Sequence, residues 1–212
     1  MLRVGLTGGL GAGKSSVAQM FAAHGAVVLQ SDAIGRELMQ PGQMVYAEVI
    51  RRFGPMVVLV DGSLDRPQLA RLAFEQGRVE ELNAIVHPAV IARQEQLIAE
   101  IVAHDESAVV IVESALIFET RYAGAAGWRG RFDKLVLVTA PEALKIVRFV
   151  ERAGVVPETR TALEAEGRRR LAAQMPDKAK VPFCDFVVSN DGSLLDLEAQ
   201  VESVWQSLIH AS

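Results

Sequence analysis

The feature that most constrains this chain is a glycine-rich motif near its amino terminus, Gly8-Gly9-Leu10-Gly11-Ala12-Gly13-Lys14-Ser15. It fits the pattern G-x-x-x-x-G-K-[ST], whose glycines allow a tight turn with backbone N–H groups pointing inward at an anion. The lysine brings an ammonium group to the β- and γ-phosphates of a nucleotide, and the hydroxyl after it can ligate Mg²⁺. We therefore predict a phosphate loop that binds ATP with Mg²⁺ on Ser15 and with Lys14 as a catalytic cation. The residues predicted to bind ATP here are Gly9, Gly11, Ala12, Gly13, Lys14, Ser15 and Ser16.

The residues on either side of the motif support this interpretation. Arg3–Thr7 has the apolar pattern of a strand, and Lys14–His24 has apolar side chains at helical spacing. A helix that begins at the lysine adds the positive end of its dipole to the anion site. The dinucleotide fingerprint G-x-G-x-x-G fails, because the register of Gly9 and Gly11 puts Lys14 where the third glycine is required.

Short apolar runs rich in β-branched residues alternate with helical patterns along the chain. The clearest helices after the first are Glu142–Arg152 and Leu194–Ile209. Parallel strands need a crossover to return, so the alternation predicts an α/β fold, a parallel sheet in a three-layer P-loop kinase arrangement. The predicted strands are Arg3–Thr7, Val27–Gln30, Val109–Glu113, Lys134–Thr139 and Phe186–Ser189.

Two long stretches interrupt this alternation within what we predict to be a single domain, residues 1–212. Residues 33–107, approximately, are mostly helical with Pro and Gly breakers, too long for a simple crossover, and predict an inserted helical lobe. Residues 152–174, approximately, are rich in Arg and Glu and predict a mobile lid, with an exposed helical hairpin as the alternative.

Composition limits the partners of the chain. A net charge of −4 over 212 residues argues against a general nucleic-acid binder. The most apolar runs are only strand-length, and the first residues lead directly into a strand-like segment. We expect a cytoplasmic protein without nucleic-acid or membrane partners, a monomer or weak homo-oligomer. The single cysteine, Cys184, is expected to be a small buried side chain rather than a nucleophile.

Arginines after the fourth strand favour a kinase over a switch or a motor. The Asn-Lys-x-Asp motif of GTPases does not occur in the sequence. Arg148 and Arg152 lie four residues apart, hence on one helix face, and arginines can neutralise the charge that spreads over a transferring phosphoryl group. We predict that Arg148 binds ATP and that Arg152 is catalytic; a solvated helix face is the alternative for each.

Transfer to a hydroxyl also needs a base, and Asp32 is the best-placed candidate. It follows the second predicted strand, at the carboxyl end of the sheet where ligands of α/β folds bind. The alternative role is an N-cap for the helical segment Ala33–Met39. Glu113, at the end of the third strand, either supports Mg²⁺ or is a hydrogen-bonded structural carboxylate.

Beyond these residues, the chain resembles the dephospho-coenzyme A kinase family nearly from end to end. The phosphate loop has that family's Thr-Gly-Gly lead-in, and residues 113–119, Glu-Ser-Ala-Leu-Ile-Phe-Glu, stand where the family has Asp-x-Pro-Leu-Leu-Phe-Glu. The other matching segments are residues 32–36, 62–66, 85–88, 170–176, Lys180, residues 185–190 and Gly192. Residues 62–66 and 85–88 resemble two segments of the family's CoA-binding lobe, so the resemblance implies that the inserted lobe binds this substrate. Together these segments are much more specific than a phosphate loop alone.

The resemblance implies transfer of the ATP γ-phosphate to the ribose 3′-hydroxyl of dephospho-CoA, the last step of coenzyme A assembly. It implies that Asp32 is the base, that Asn190 and Gly192 border the adenine of ATP, and that other matched positions contact the substrate. The substrate-binding residues implied are Asp32, Arg36, Asp65, His87 and Glu113. The alternatives are another small-metabolite or nucleoside-monophosphate kinase, or a non-catalytic module gated by nucleotide.

The chain also departs from the family pattern. Gln30 replaces the first of two aspartates, so the base role rests on Asp32 alone; Glu113 replaces an aspartate and Ala115 a proline. The lid segment is several residues longer than usual. Considered without the resemblance, a His before a Pro, as at His87, is expected to be a structural residue at a helix boundary. The four histidines show no metal-ligand spacing.

Overall fold

The computed structural model describes residues 1–121, 127–154 and 159–210. They form two compact units. The first contains Met1–Leu29, Ile101–Thr120 and the described residues from Trp128 onward, and the second consists chiefly of Gln30–Glu100. In the described ranges, no helix combines the length and apolar composition that crossing a bilayer requires.

Five strands and nine helices make up the regular structure of the described residues. The strands are β1 Leu2–Thr7, β2 Val27–Gln30, β3 Val109–Glu113, β4 Lys134–Thr139 and β5 Phe186–Ser189. The helices are α1 Lys14–Ala23, α2 Ser31–Leu38, α3 Met44–Phe53, α4 Arg66–Glu75, α5 Val79–His104, α6 Glu142–Arg152, α7 Arg160–Ala172, α8 Asp177–Lys180 and α9 Leu194–His210. The predicted strands are confirmed to within one residue.

The strands form one sheet in the order β2-β3-β1-β4-β5, and β1 runs parallel to both β3 and β4. Leu6 near the end of β1 pairs with Glu113, and Thr7 pairs with Leu137 of β4. The carboxyl ends of the three central strands therefore meet at one edge of the sheet. The predicted α/β class with a parallel sheet is confirmed.

Both faces of the sheet are covered, as the surroundings of β1 show. Successive residues of a strand face opposite sides of the sheet, so neighbouring residues of β1 report on the two faces. Val4 and Leu6 are fully buried in a cluster that includes apolar residues of α1 and α9. A side chain on the intervening Gly5 would meet Ile117 and Phe132 instead, so these residues fill the other face. Burial on both faces explains why the central strands are continuous apolar runs rather than alternating ones.

The second unit consists of helices packed around a core of its own. The buried cluster there contains Val45, Val49, Phe53, Val57, Leu64, Leu69 and Leu72. Inside this unit α2 and α5 approach closely at Gly35, where an added Cβ would lie 3.5 Å from Val90 and 3.8 Å from Val86. These helices occupy the stretch predicted to be helical; its role as a substrate lobe stays a prediction.

Helices α6 and α7 pack against each other in the first unit. An added Cβ at Gly167 of α7 would lie 2.9 Å from Phe149 and 3.1 Å from Ile146, both of α6, so the absence of a side chain lets the helices touch. Helix α7 occupies most of the predicted lid at residues 152–174, of which residues 155–158 lie outside the described chain. The mobility of this segment as a lid stays a prediction.

Candidate phosphate-transfer site

The phosphate loop, residues 8–15, connects β1 to α1, and two of its glycines are required by geometry. Gly11 and Gly13 have φ of 71° and 95°, in the left-handed region that favours glycine. A Cβ on Gly11 would lie 2.1 Å from the carbonyl oxygen of Lys145, and one on Gly13 would lie 2.0 Å from Nδ2 of Asn190. Conformation and space therefore both exclude a side chain.

The loop ends at the amino terminus of α1, where backbone N–H groups have no partner within the helix. Gly13 occupies the cap position and offers no side-chain oxygen to these groups. The first turn is Lys14-Ser15-Ser16-Val17, so the lysine charge and the helix dipole have the same sign. A phosphate group is the kind of ligand that suits such a helix terminus.

Lys14 lies against the loop that precedes it. Its ammonium Nζ donates to the carbonyl oxygens of Gly8 at 3.0 Å and Gly9 at 3.2 Å. The Ala12 N–H donates to the same Gly9 carbonyl at 3.1 Å and closes a turn within the loop. The loop is thus a compact arch with one ammonium group held against its backbone.

Ser15 and Glu113 meet at the edge of the sheet. The Ser15 Oγ donates to Oε1 of Glu113 at 3.0 Å, and Glu113 stands at the last position of β3. A hydroxyl and a carboxylate are hard oxygen ligands of the kind that Mg²⁺ prefers, with water and phosphate oxygens completing its octahedron. These two side chains fit an Mg²⁺ ion bound jointly with a nucleotide.

Asn190, just after β5, forms hydrogen bonds with both the phosphate loop and α6. Its Nδ2 donates to the Ala12 carbonyl at 2.9 Å, and its own carbonyl and Oδ1 accept from the Arg148 guanidinium at 3.0 and 3.2 Å. Asn190 is buried, whereas Gly192 two residues later is exposed. Arg152 lies one turn beyond Arg148 on α6 and is exposed. Asn190 therefore bonds directly to the phosphate loop, and Arg148 is connected to the loop through Asn190.

In the second unit, Asp32 is the second residue of α2 and is exposed. The helix begins at Ser31 and its cap position is Gln30, so the alternative interpretation of Asp32 as an N-cap is wrong. The carboxylate instead lies in the first turn of α2, where an acidic side chain suits the positive end of the helix dipole. Nothing in the described structure tests its role as base, which stays a prediction.

Two of the predicted substrate residues have structural roles as well. Asp65 caps α4 by accepting the Gln68 N–H at 2.9 Å. His87 lies inside α5 together with Pro88, so its expected position at a helix boundary is wrong. Burial lowers the pKa of His87 below its ordinary value, partly opposed by Glu80, so the imidazole is neutral at pH 7. Arg36 is exposed near the end of α2.

Sequence reasoning assigned no structural role to Lys145, Gln174 and Lys180, polar side chains that the structure buries or brings to the phosphate loop. Lys145 is 6% exposed and pairs with Asp177; Gln174 accepts the Leu10 N–H at 3.0 Å. Lys180 is fully buried, with Nζ 3.1 Å from Oε1 of Glu119. A lysine adjoining an apolar residue in a helical pattern is ordinarily assigned to the solvent face, so the pattern carries no signal for these burials.

Cys184 is half-buried, which is less burial than the sequence predicts. Burial raises the pKa of its thiol to about 11, with a further contribution from the neighbouring charge of Asp185. The thiol therefore stays protonated at neutral pH and is a poor nucleophile.

A phosphate loop between the first strand and first helix of a parallel sheet, with a lysine and a serine at its end, defines a P-loop nucleotide-binding protein. The family model for dephospho-CoA kinase matches residues 2–196, and the chain belongs to this family. Similar relatives include the dephospho-CoA kinases of Thermobifida fusca, 36% identical over 98% of this chain and 96% of the relative, and of Streptomyces avermitilis, 39% identical over 99% and 95%.

Solved structures share the fold of this chain. The crystal structure of TT1252 from Thermus thermophilus superposes with a TM-score of 0.73 at 34% identity, over 98% of this chain and 97% of that one. Dephospho-CoA kinase from Campylobacter jejuni has a TM-score of 0.56 at 17% identity, over 97% and 96%. Shikimate kinase from Acinetobacter baumannii has a TM-score of 0.53 at 13% identity, over 100% and 95%. These last two show the shared fold alone.

Proposed function

We propose that this chain transfers the γ-phosphoryl group of ATP to the ribose 3′-hydroxyl of dephospho-CoA, the final step of coenzyme A biosynthesis. The observation that carries the proposal is the phosphate loop, with its two left-handed glycines and its lysine, in a chain that matches the dephospho-CoA kinase family over residues 2–196. The family supplies the acceptor, and the loop geometry supplies the means of holding the donor.

The donor side of the reaction rests on residues of the first unit. The loop amides from Gly11 to Ser16 and the Lys14 ammonium hold the β- and γ-phosphates. Mg²⁺ binds the Ser15 hydroxyl, with Glu113 within hydrogen-bond distance of that hydroxyl to position it. Asn190 and Gly192 border the adenine, and Arg148 is held in place by its two bonds to Asn190.

On the acceptor side, the 3′-hydroxyl oxygen attacks the γ-phosphorus while the bond from that phosphorus to the β–γ bridging oxygen breaks. Asp32 takes the hydroxyl proton, and ADP leaves with the bonding electron pair. Arg152 neutralises charge on the equatorial oxygens as it develops. The substrate site also includes Arg36, Asp65, His87 and Glu113. The Asp65 carboxylate is positioned by its cap on α4. We infer a cytoplasmic enzyme, monomeric or weakly self-associating, with neither nucleic acid nor membrane as partner.

One assay tests the acceptor. The protein is supplied with Mg-ATP and either dephospho-CoA, AMP or shikimate, and ADP release is measured. We expect ADP only with dephospho-CoA. Release with AMP or shikimate instead would identify another small-molecule kinase, and slow hydrolysis that is independent of acceptor would identify a regulatory module; either result overturns the proposal.

A further inference from the structure

Lys145 is a buried cation that the reaction as described above does not use. Its side chain is 8% exposed and pairs with Asp177, which is 19% exposed. Burying an ammonium and a carboxylate is expensive, and an apolar pair of similar volume is often at least as stable. Lys145 also lies in the first turn of α6, where a positive charge opposes the helix dipole. Neither burial nor helix electrostatics accounts for a lysine at this position.

Lys145 touches the phosphate loop at two points. Its carbonyl oxygen lies against Gly11, at 2.1 Å from the position of an added Cβ. Its Nζ extends to Gly9, at 3.1 Å from the corresponding position there. Since Lys14 Nζ donates to the Gly9 carbonyl at 3.2 Å, two ammonium groups converge on Gly9. Both lysines lie within the first unit, Lys14 on α1 and Lys145 on α6.

Lys145 also lines a cavity of about 440 Å³, together with Gly9, Arg168, Gln174, Asp177 and Lys178. Three of the cavity's charged groups are cations, Lys145, Arg168 and Lys178, against the carboxylates of Glu142 and Asp177. A positively charged cavity beside a phosphate loop suits an anionic group of the bound nucleotide.

We propose that Lys145 is a second ammonium group of the phosphate site and contacts the γ-phosphate of ATP next to Gly9. This inference rests on the proposed function and adds a residue to that site. Asp177 holds the ammonium at the loop and releases it in part to the γ-phosphate oxygens, which carry more charge and offer more acceptors than one carboxylate. The β-phosphate is already held by the loop amides and Lys14. Lys145 therefore raises the affinity for ATP and not the affinity for ADP.

The test is equilibrium binding of Mg²⁺ complexes of a non-hydrolysable ATP analogue and of ADP, measured by calorimetry without acceptor. Lys145→Met is expected to weaken binding of the ATP analogue about 10-fold, which corresponds to the loss of one charge-assisted hydrogen bond. It is expected to change the affinity for ADP by less than about twofold. Asp177→Asn removes a carboxylate beside the phosphates, so it is expected to leave affinity for the ATP analogue unchanged or higher.

A matched control is Lys134→Met. Lys134 is the first residue of β4 and forms another lysine–aspartate pair, with its Nζ 3.1 Å from Oδ1 of Asp185. The substitution is expected to leave both affinities unchanged. Equal weakening of both nucleotides by Lys145→Met would mean loss of loop shape and would overturn the proposal, as would unchanged affinity for the ATP analogue. So would a loss of that affinity in Asp177→Asn similar to that in Lys145→Met. If Lys145→Met does not fold, Lys145→Gln carries the same test.

The binding measurements contain no acceptor, so they remain decisive if dephospho-CoA is not the substrate. Wild-type phosphorylation of dephospho-CoA is measured separately. An enzyme that transfers to a different acceptor and still shows the selective loss of affinity for the ATP analogue would refute the proposed function and support the role of Lys145.

Discussion

At the scale of single residues, Asp32 is the side chain whose replacement is most informative. It is exposed in the first turn of α2, so Asp32→Asn removes a charge with little effect on packing. We expect ATP affinity to be retained and turnover to fall at least ~10²-fold, because the amide cannot take the 3′-hydroxyl proton. Steady-state kinetics with dephospho-CoA and calorimetry with ATP measure the two effects.

Glu37→Gln is the matched control for Asp32→Asn. Glu37 is an exposed acid of the same helix, and its neutralisation is expected to leave turnover within about twofold. Near-normal turnover in Asp32→Asn would remove Asp32 from the chemistry.

Residues that belong to a motif could be predicted from the sequence, and residues that depend on burial could not. The spacing of Gly11, Gly13 and Lys14 indicates a phosphate-binding loop, and the structure places all three residues in that loop. Lys145 and Gln174 resemble ordinary surface residues in the sequence. Their contacts with the loop arise only when α6 and the segment after α7 fold against β1. One-dimensional patterns contain no record of such contacts between distant segments.

At the scale of elements, the junction between the loop and α1 can be tested with a pair of glycines. Gly13 and Gly25 have similar left-handed φ of 95° and 103°. A Cβ at Gly13 would collide with Asn190, whereas one at Gly25 would meet no atom of the described chain within 4 Å. Gly13→Ala should therefore abolish detectable ATP binding, while Gly25→Ala should only destabilise the fold by about 1–2 kcal/mol.

Calorimetric titration measures the ATP affinity of the two variants, and thermal unfolding measures their stability. The first reports the collision with Asn190, and the second reports the backbone strain that both variants share. Similar ATP affinity in both variants would show that Asn190 moves aside without consequence, contrary to its bonds with Ala12 and Arg148.

Helix α8 offers a second test, of stability rather than binding. Lys180 is fully buried with Nζ 3.1 Å from Glu119, whose Oε1 also accepts the Met175 N–H at 2.9 Å. Lys180→Met leaves this carboxylate without its cation, and we expect a loss of about 2–3 kcal/mol, or a fall in Tm of about 5–10 °C. Lys178→Met, at an exposed position of the same helix, should change stability by less than about 0.5 kcal/mol. Equal Tm values for the two variants would contradict the importance of the buried pair.

Element boundaries were predictable wherever the local pattern decides them, as in β3 and α6. The exception is α5, which continues through His87 and Pro88 although a proline favours an end to the helix. Val86 and Val90 flank this point and pack close to Gly35 of α2. Tertiary packing within the second unit thus outweighs the local signal of the proline.

At the scale of the whole molecule, nucleotide binding should be visible as stabilisation. Mg-ATP at 100 times its Kd contributes about 2.7 kcal/mol, which corresponds to a rise in Tm of about 5–10 °C for a protein of this size. Lys14→Ala removes the ammonium held at Gly8 and Gly9, so the same ATP concentration should produce a rise of less than about 2 °C. Scanning calorimetry with and without nucleotide checks this; an equal rise in both proteins would place the triphosphate elsewhere.

The parallel sheet was predictable as a class, but its strand order was not. Alternation of strands and helices requires crossovers and hence parallel pairing. Which strands become neighbours depends on contacts such as that between Leu2 and Val109, more than a hundred residues apart. The helical insertion between β2 and β3 was predictable from its pattern, whereas the bounds of the two compact units depend on packing.

The hydrogen bond from Asn190 to the Ala12 carbonyl has a consequence for how the protein is made. Synthesis on the ribosome delivers the glycine motif first, and the amide that supports it arrives some 178 positions later. A nascent chain interrupted between β4 and β5 would carry every motif residue and still lack the side chain that braces the arch. Competence to hold a nucleotide therefore arises late in translation, so truncated polypeptides would not sequester ATP.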